Sequence, residues 1–107
     1  MSDNNVCVVM VTYNRKKYLE RLLARLETIE LVCGIYIFDN NSSDDTANFF
    51  SDIFKLPIEY TKDYVTEING KILYYFRNNV NSGGSGGFHN AIKNAMNYVL
   101  CLKIPQK

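Results

Sequence analysis

Six apolar residues in a row, Val6-Cys7-Val8-Val9-Met10-Val11, four of them valine, end at Thr12 and give way to the polar turn Tyr13-Asn14-Arg15. A short run this rich in β-branched residues reads as a strand buried on both faces, of the kind that sits inside a parallel sheet with helices over it. In open α/β sheets ligands bind just past the carboxyl ends of the strands. Thr12 to Arg15 is therefore the first place to expect chemistry.

The residues that follow support that architecture. Asn14 is a plausible N-cap, and Leu19, Leu22, Leu23 and Leu26 recur at helical spacing, so a helix is expected over roughly Arg15 to Thr28. Cys33 to Phe38 reads as a second buried strand that stops at Asp39-Asn40-Asn41. Ser42 or Ser43 can cap the next helix, with Asp44 and Asp45 at the end of the dipole that suits carboxylates. Ala47, Phe50, Ile53 and Phe54 form its apolar face, and Leu56-Pro57 ends it. The order β-α-β-α predicts a parallel sheet with right-handed crossovers. Further on, Ile58 to Tyr60 is a possible strand start and Tyr64 to Ile68 is extended. Asn69-Gly70 signals a type I′ hairpin, and Lys71 to Phe76 supplies the strand expected to join the sheet as its third parallel member. A glycine-rich loop, Asn81-Ser82-Gly83-Gly84-Ser85-Gly86-Gly87, opens a third helix whose apolar face is Phe88, Ala91, Ile92, Ala95, Met96 and Val99.

Length and composition narrow the function classes. At 107 residues the chain reads as one domain, and 47% hydrophobic residues suffice for a core. A formal charge of +1 gives no support to nucleic-acid binding, which shows as a basic excess or stripe. Cys7, Cys33 and Cys101 form no CxxC pair and are expected to be buried free thiols in a reducing, cytoplasmic compartment. With His89 as the single imidazole, a zinc site is not expected. No apolar stretch reaches membrane-spanning length.

Three local patterns carry possible chemistry, each with a plainer alternative. Four glycines in the five positions from Gly83 to Gly87 let backbone N–H groups approach an anion at a helix start, or simply make a turn. The P-loop and dinucleotide fingerprints both fail there: no Gly-Lys-Ser/Thr follows, and His89 stands where the second pattern needs a small residue. Asp39 at a strand end can accept from a base N–H or a ribose hydroxyl, or close an Asx turn. Arg15, Lys16 and Lys17 cluster at the helix end that disfavours cations, which points to a compensating anion or to ordinary surface charge. His89 is expected on the exposed side of the third helix, and Tyr13 could stack on a base.

Taken together, Val8-Val9-Met10-Val11-Thr12-Tyr13-Asn14-Arg15, Ile37-Phe38-Asp39-Asn40-Asn41-Ser42-Ser43-Asp44-Asp45-Thr46 and Asn81-Ser82-Gly83-Gly84-Ser85-Gly86-Gly87-Phe88-His89-Asn90 closely resemble the family-2 glycosyltransferases. These are inverting enzymes of the GT-A fold that use nucleotide-activated sugars. The resemblance covers residues 5 to 100, and the Gly-Gly-x-Gly-Gly-Phe form is most similar to the galactofuranosyl- and rhamnosyltransferase branch. It implies a partial GT-A, Rossmann-like α/β/α domain with a parallel sheet in order 3-2-1 and a possible extra hairpin. By position it places Thr12, Tyr13 and Asn14 around the nucleotide base and Arg15 near the diphosphate. Asp39 would accept from the N3–H of uracil or thymine. Asn81, Gly83 and Gly84 would lie under the ribose and phosphates, with Asn90 as the polar helix residue of the motif. The donor implied is a UDP- or dTDP-linked sugar, and the acceptor a saccharide or glycan hydroxyl.

The chain also departs from the family. The family's Asp-x-Asp motif, which holds Mg or Mn on the diphosphate, would follow the third helix, but Val99-Leu100-Cys101-Leu102-Lys103-Ile104-Pro105 contains no carboxylate. No metal ligand, catalytic residue or acceptor site is assigned. The expectation is a single domain over 1–107 that stops before the metal motif, binds nucleotide and is inactive alone. The alternative is a non-catalytic α/β nucleotide-binding or interaction module. With no fourth strand beside it, the edge of the first strand is expected to drive self-association.

Overall fold

The computed structural model describes residues 6–81, together with His89 and Lys93. In chain order the elements are β1 (Val6–Thr12), α1 (Lys16–Leu26), β2 (Val32–Asp39), α2 (Thr46–Phe54), β3 (Asp63–Ile68) and β4 (Lys71–Arg77). They form one four-stranded sheet in the order β1-β2-β4-β3. β1 and β4 flank β2 and run parallel to it, so the three parallel strands lie in the expected sequence. β3 pairs antiparallel with β4, which makes the sheet mixed rather than purely parallel. The hairpin arises from Asn69 and Gly70, whose φ values of 50° and 76° fit the primed turn that suits twisted strands. Ile58 to Tyr60 does not begin a strand; the chain there is irregular.

Each parallel step moves the same way across the sheet, so right-handed crossovers put α1 and α2 on one face. Leu19, Leu23 and Leu26 of α1 and Phe50 of α2 close over Ile35, Ile37, Leu73 and Tyr75. Phe50 stacks on Tyr75 with ring centroids 3.9 Å apart. The other face is aromatic: Tyr36 stacks on its register partner Tyr74 at 4.1 Å, and Phe38 on Phe76 at 5.5 Å. Tyr36, Phe38 and Tyr74 are all buried. Among the described residues the architecture has two layers; the expected third helix lies outside them, save that His89 and Lys93 are helical and exposed.

Four sequence expectations need correction. β1 is half-buried rather than enclosed on both faces, because among the described residues it has a strand on one side only. The strand buried along nearly its whole length is β2. Asn14 does not cap α1; the N-cap residue is Arg15, with no side-chain cap bond. Nor do Ser42 and Ser43 cap α2, whose N-cap residue is Asp45. The side chains of Asn14 and Ser42 bond across loops, as described below. Cys7 and Cys33 are free thiols as expected, but half-buried rather than buried.

The packing of α1 on the sheet sets a stability test. Leu23 is 3% exposed in the main core, and truncating such a leucine typically costs about 2–5 kcal/mol. Tyr18 on the same helix is 67% exposed, and truncation there stays within roughly 0.5 kcal/mol. Urea unfolding of Leu23→Ala is expected to show a large drop in midpoint, and Tyr18→Ala almost none. Equal midpoints would mean that α1 does not dock as described.

Candidate functional site

The three parallel strands end level with one another, since Thr12 stands opposite Asp39 and Asp39 opposite Arg77. The ladder continues one residue further on each side: Asn40 N–H donates to Thr12 O at 2.9 Å and Asn78 N–H to Asp39 O at 2.8 Å. Three loops therefore leave the sheet from a common height.

The first two loops are tied by side chains. Asn14 has φ of 52°, a left-handed conformation that asparagine tolerates better than most residues. Its N–H donates to Ser42 Oγ at 2.9 Å, and its Oδ1 accepts from the N–H groups of Ser43 (2.7 Å) and Asp44 (3.2 Å). In return Asp44 Oδ2 accepts the Lys16 N–H at 3.3 Å, one of the donors exposed at the start of α1. Asp44 Oδ1 takes the Thr46 N–H (3.0 Å) and hydroxyl (2.5 Å), which serves the start of α2.

Behind these loops lies Asp39, with no exposed surface. Its Oδ1 accepts the Ser42 N–H at 2.9 Å, and its Oδ2 accepts the Tyr75 hydroxyl at 2.5 Å. Burial, and then the adjacent Asp39 charge, push the Tyr75 hydroxyl far above the usual phenol range, so it stays a donor. Arg77 sends Nη2–H to Ser42 O at 3.0 Å while its guanidinium lies 4.3 Å from the centre of the Tyr60 ring.

In front is a recess of about 670 Å³, within the size range of small-molecule sites. Its polar lining is Thr12, Tyr13, Arg15, Asn40 and Asn81; Met10, Leu19 and Leu22 supply apolar wall. Asn40 Nδ2 donates to Asn81 Oδ1 at 2.9 Å, which joins the third loop to the second. Beside it a shallower concavity of about 430 Å³ carries Arg15, Lys16 and Lys17 facing Asp44 and Asp45. Among the described residues, no three His, Cys, Asp or Glu side chains come together as a metal-ligand set.

Of the candidate residues, Thr12, Tyr13, Arg15 and Asn81 meet at the recess. Asn14 and Asp39 belong to the framework behind it, and Gly83, Gly84 and Asn90 lie outside the described residues. The sequence assigned no separate role to Asn40, Tyr75 or Arg77, and it assigned Ser42 to the cap of α2 rather than to this loop framework. For the turn at Ser42 a signal existed, because a strand-end aspartate suits a turn closed by its carboxyl group on a backbone N–H that follows. For Tyr75 none did, since it is one aromatic in an extended apolar run.

The sequence profile of Glycosyl transferase family 2 matches residues 7–102. The chain belongs to glycosyl transferase family 2. Its mostly parallel sheet with helical crossovers is that of a partial GT-A, Rossmann-like domain, and the level strand ends fall within the matched residues. One curated relative of this family member is Protein RfbJ of Shigella flexneri, 35% identical over 48 residues, which cover 45% of this chain and 37% of that protein. The chain thus aligns with well under half of that relative's length. No solved structure gives a significant match.

The loop clamp makes a pH-dependent contribution. Partial desolvation raises the Asp44 pKa, but bonds from the Thr46 hydroxyl and N–H and the Lys16 N–H outweigh it, so the net shift is downward from 3.8. The folded value lies below the unfolded one. The contribution is therefore complete above about pH 4 and is lost as pH falls through the folded value. In an NMR titration Asp44 is expected to titrate below an ordinary aspartate, and Thr46→Val to bring it back upward. An Asp44 titration that Thr46→Val leaves unmoved would remove the hydroxyl as a cause.

Proposed function

We propose that the chain binds a nucleoside diphosphate sugar in the recess, as the donor for inverting glycosyl transfer to an acceptor hydroxyl. One observation carries this reading: three loops from level strand ends converge on a single recess that joins an exposed aromatic, two carboxamides and an arginine at a helix start. Tyr13, 45% exposed, offers a ring face to a base. Arg15 offers paired donors to a diphosphate beside the start of α1, where anions are favoured. Thr12, Asn40 and Asn81 supply polar edges for base and ribose. Gly83, Gly84 and Asn90 are assigned to the ribose and phosphates by sequence correspondence. The free thiols Cys7 and Cys33 suit a reducing, cytoplasmic setting.

In inverting transfer the acceptor oxygen bonds to the anomeric carbon as the bond from that carbon to the diphosphate oxygen breaks. The acceptor proton must pass to a base. The described residues do not fit the divalent cation that the family implies, because they hold no cluster of three candidate ligands and the sequence contains no Asp-x-Asp. Both Asp39 oxygens already accept internal donors. The role carried by these 107 residues is donor binding. That same observation favours, as second reading, a nucleotide-binding module without transfer.

Calorimetric titration of the 107-residue chain with uridine diphosphate and thymidine diphosphate is expected to show binding. Arg15→Ala is expected to weaken it by roughly 1.5–3 kcal/mol, about ten- to a hundredfold, as for loss of a charge-assisted bond. Manganese should leave the affinity nearly unchanged, and the chain alone should transfer no sugar. Manganese-dependent turnover would assign catalytic groups to residues not credited with them. Among the described residues β1 has one strand neighbour, and we take its other edge as a pairing edge for a second copy. Sedimentation equilibrium at micromolar concentration is expected to show a dimer or larger species, and a clean monomer counts against that edge.

A further inference from the structure

One row of side chains on α1 takes no part in the recess. Leu19, Leu23 and Leu26 face the core, and the opposite side of the helix carries Lys17, Arg21 and Arg25 at positions i, i+4 and i+8. That spacing sets three cations in one row about 12 Å long. All three are exposed. Tyr18, 67% exposed, and the half-buried Leu22 run beside them, on the flank that overlooks Met10 and Val11 of β1.

Like charges four residues apart on a helix repel, so such a row is favoured by an anion close to it. The described residues supply none. Glu20 pairs with Lys16 at 3.7 Å, and the Lys16 N–H meets Asp44, so this pair lies on the flank toward α2. Glu27 accepts from Asn69 Nδ2 of the hairpin at 3.4 Å. Among the described residues, none of the three cations of the row is in an ion pair.

The near-neutral charge of the chain conceals a division. Arg15 to Arg25 holds five cations and one carboxylate, whereas Asp44 to Glu67 holds six carboxylates and two lysines. A polyanion wrapped around the domain would meet both. A flat anionic surface laid along α1 on its β1 side meets the cations alone, with Tyr18 and Leu22 as apolar contact beside them. Arg21 and Arg25 border neither of the two cavities, so a small anion has no enclosure there.

We propose that the Lys17–Arg21–Arg25 row is a docking face for an anionic lipid surface, on which α1 lies lengthwise with Tyr18 at the headgroups. The contact is peripheral: among the described residues no helix is long and apolar enough to cross a membrane. Cations near a negatively charged leaflet are attracted in proportion to their number, and amphipathic aromatic rings settle at the interface. Because Tyr18 also lines the recess, a donor bound there would be held next to the surface.

The test is co-sedimentation of the 107-residue chain with vesicles of phosphatidylcholine, alone or mixed with phosphatidylserine. Binding is expected to the mixed vesicles and not to the neutral ones, and it should fall as salt is raised. Arg21→Gln combined with Arg25→Gln should weaken partition about 25-fold, or about fivefold for each cation removed. Lys55→Gln combined with Lys62→Gln removes the same charge from the acidic part of the chain and should leave partition nearly unchanged. Equal loss in the two double variants would make net charge the cause and overturn the proposal. Equal binding to both kinds of vesicle, or to neither, overturns it too. Tighter binding to single-stranded DNA than to the mixed vesicles, at the same ionic strength, would identify a polyanion as the partner and count against the lipid surface. All four substituted side chains are exposed, so both double variants are expected to fold, which circular dichroism checks. The docking face requires no nucleotide. Uridine diphosphate titration tests the recess and vesicles test α1, so either reading can fail alone.

Discussion

A carboxyl group with no exposed surface must find its partners inside the protein, because burying it without hydrogen bonds would cost several kcal/mol. Asp39 finds two, and each constrains a different part of the molecule. The Ser42 N–H requires a tight turn directly after β2. The Tyr75 hydroxyl requires that β4 lie beside β2 in the observed register, with Tyr75 opposite Ile37 and two residues short of the strand end. The ring of Tyr75 in turn packs under Phe50 of α2. One buried group therefore links turn, strand pairing and helix docking, and the loops that frame the recess inherit their geometry from the core.

The two ends of the sheet are closed in different ways. At the amino end of β4, Lys71 is 7% exposed and its Nζ donates to Ile29 O and Val32 O, both at 2.8 Å. One side chain thus satisfies a carbonyl of the α1–β2 connection and the carbonyl of the first residue of β2. At the carboxyl ends the task falls to asparagine, serine and aspartate. Asn14 and Asn41 adopt left-handed backbone, and Asn14 Oδ1 gathers two backbone N–H groups from the neighbouring loop. Short polar side chains can stand in for missing backbone partners where the chain must turn sharply. They also leave the loops open enough to surround a ligand, which a close-packed apolar closure would not.

The sequence carried the local structure well and the non-local structure poorly, for a physical reason. The β-branched run of β1, the leucine spacing of α1 and the Asn69-Gly70 turn are determined within a few residues, and all appear in the structure. A run of valines, however, reports that a segment is a strand and not where it stands in the sheet; β2, not β1, is the enclosed one. Asn14 before a leucine repeat has the look of a helix cap, but its partners lie 29 and 30 residues further on. Propensity cannot see such a bond. The Asp39–Tyr75 contact spans 36 residues and is equally invisible from either side. Family resemblance compensated in part, since it marked Thr12, Tyr13, Arg15 and Asn81, which the fold brings to one recess.

The cations at the start of α1 gain a meaning from this framework that they lacked in the sequence. α1 has no acidic residue in its first turn and no side-chain cap, and Arg15, Lys16 and Lys17 stand at its positive end. Lys16 has an exposed partner in Glu20 at 3.7 Å, a contact of little weight in water. The principal anion brought to this end is Asp44, whose Oδ2 accepts the Lys16 N–H and whose position is set by Asn14. Because Asn14 is itself held by Ser42, the group that offsets the helix end and the group that shapes the recess are coupled through one turn. A diphosphate at Arg15 would add a second counter-charge at a point where the protein's own supply is small. Its binding would draw on the field of the helix end, and the gain would shrink as salt screens the exposed charges.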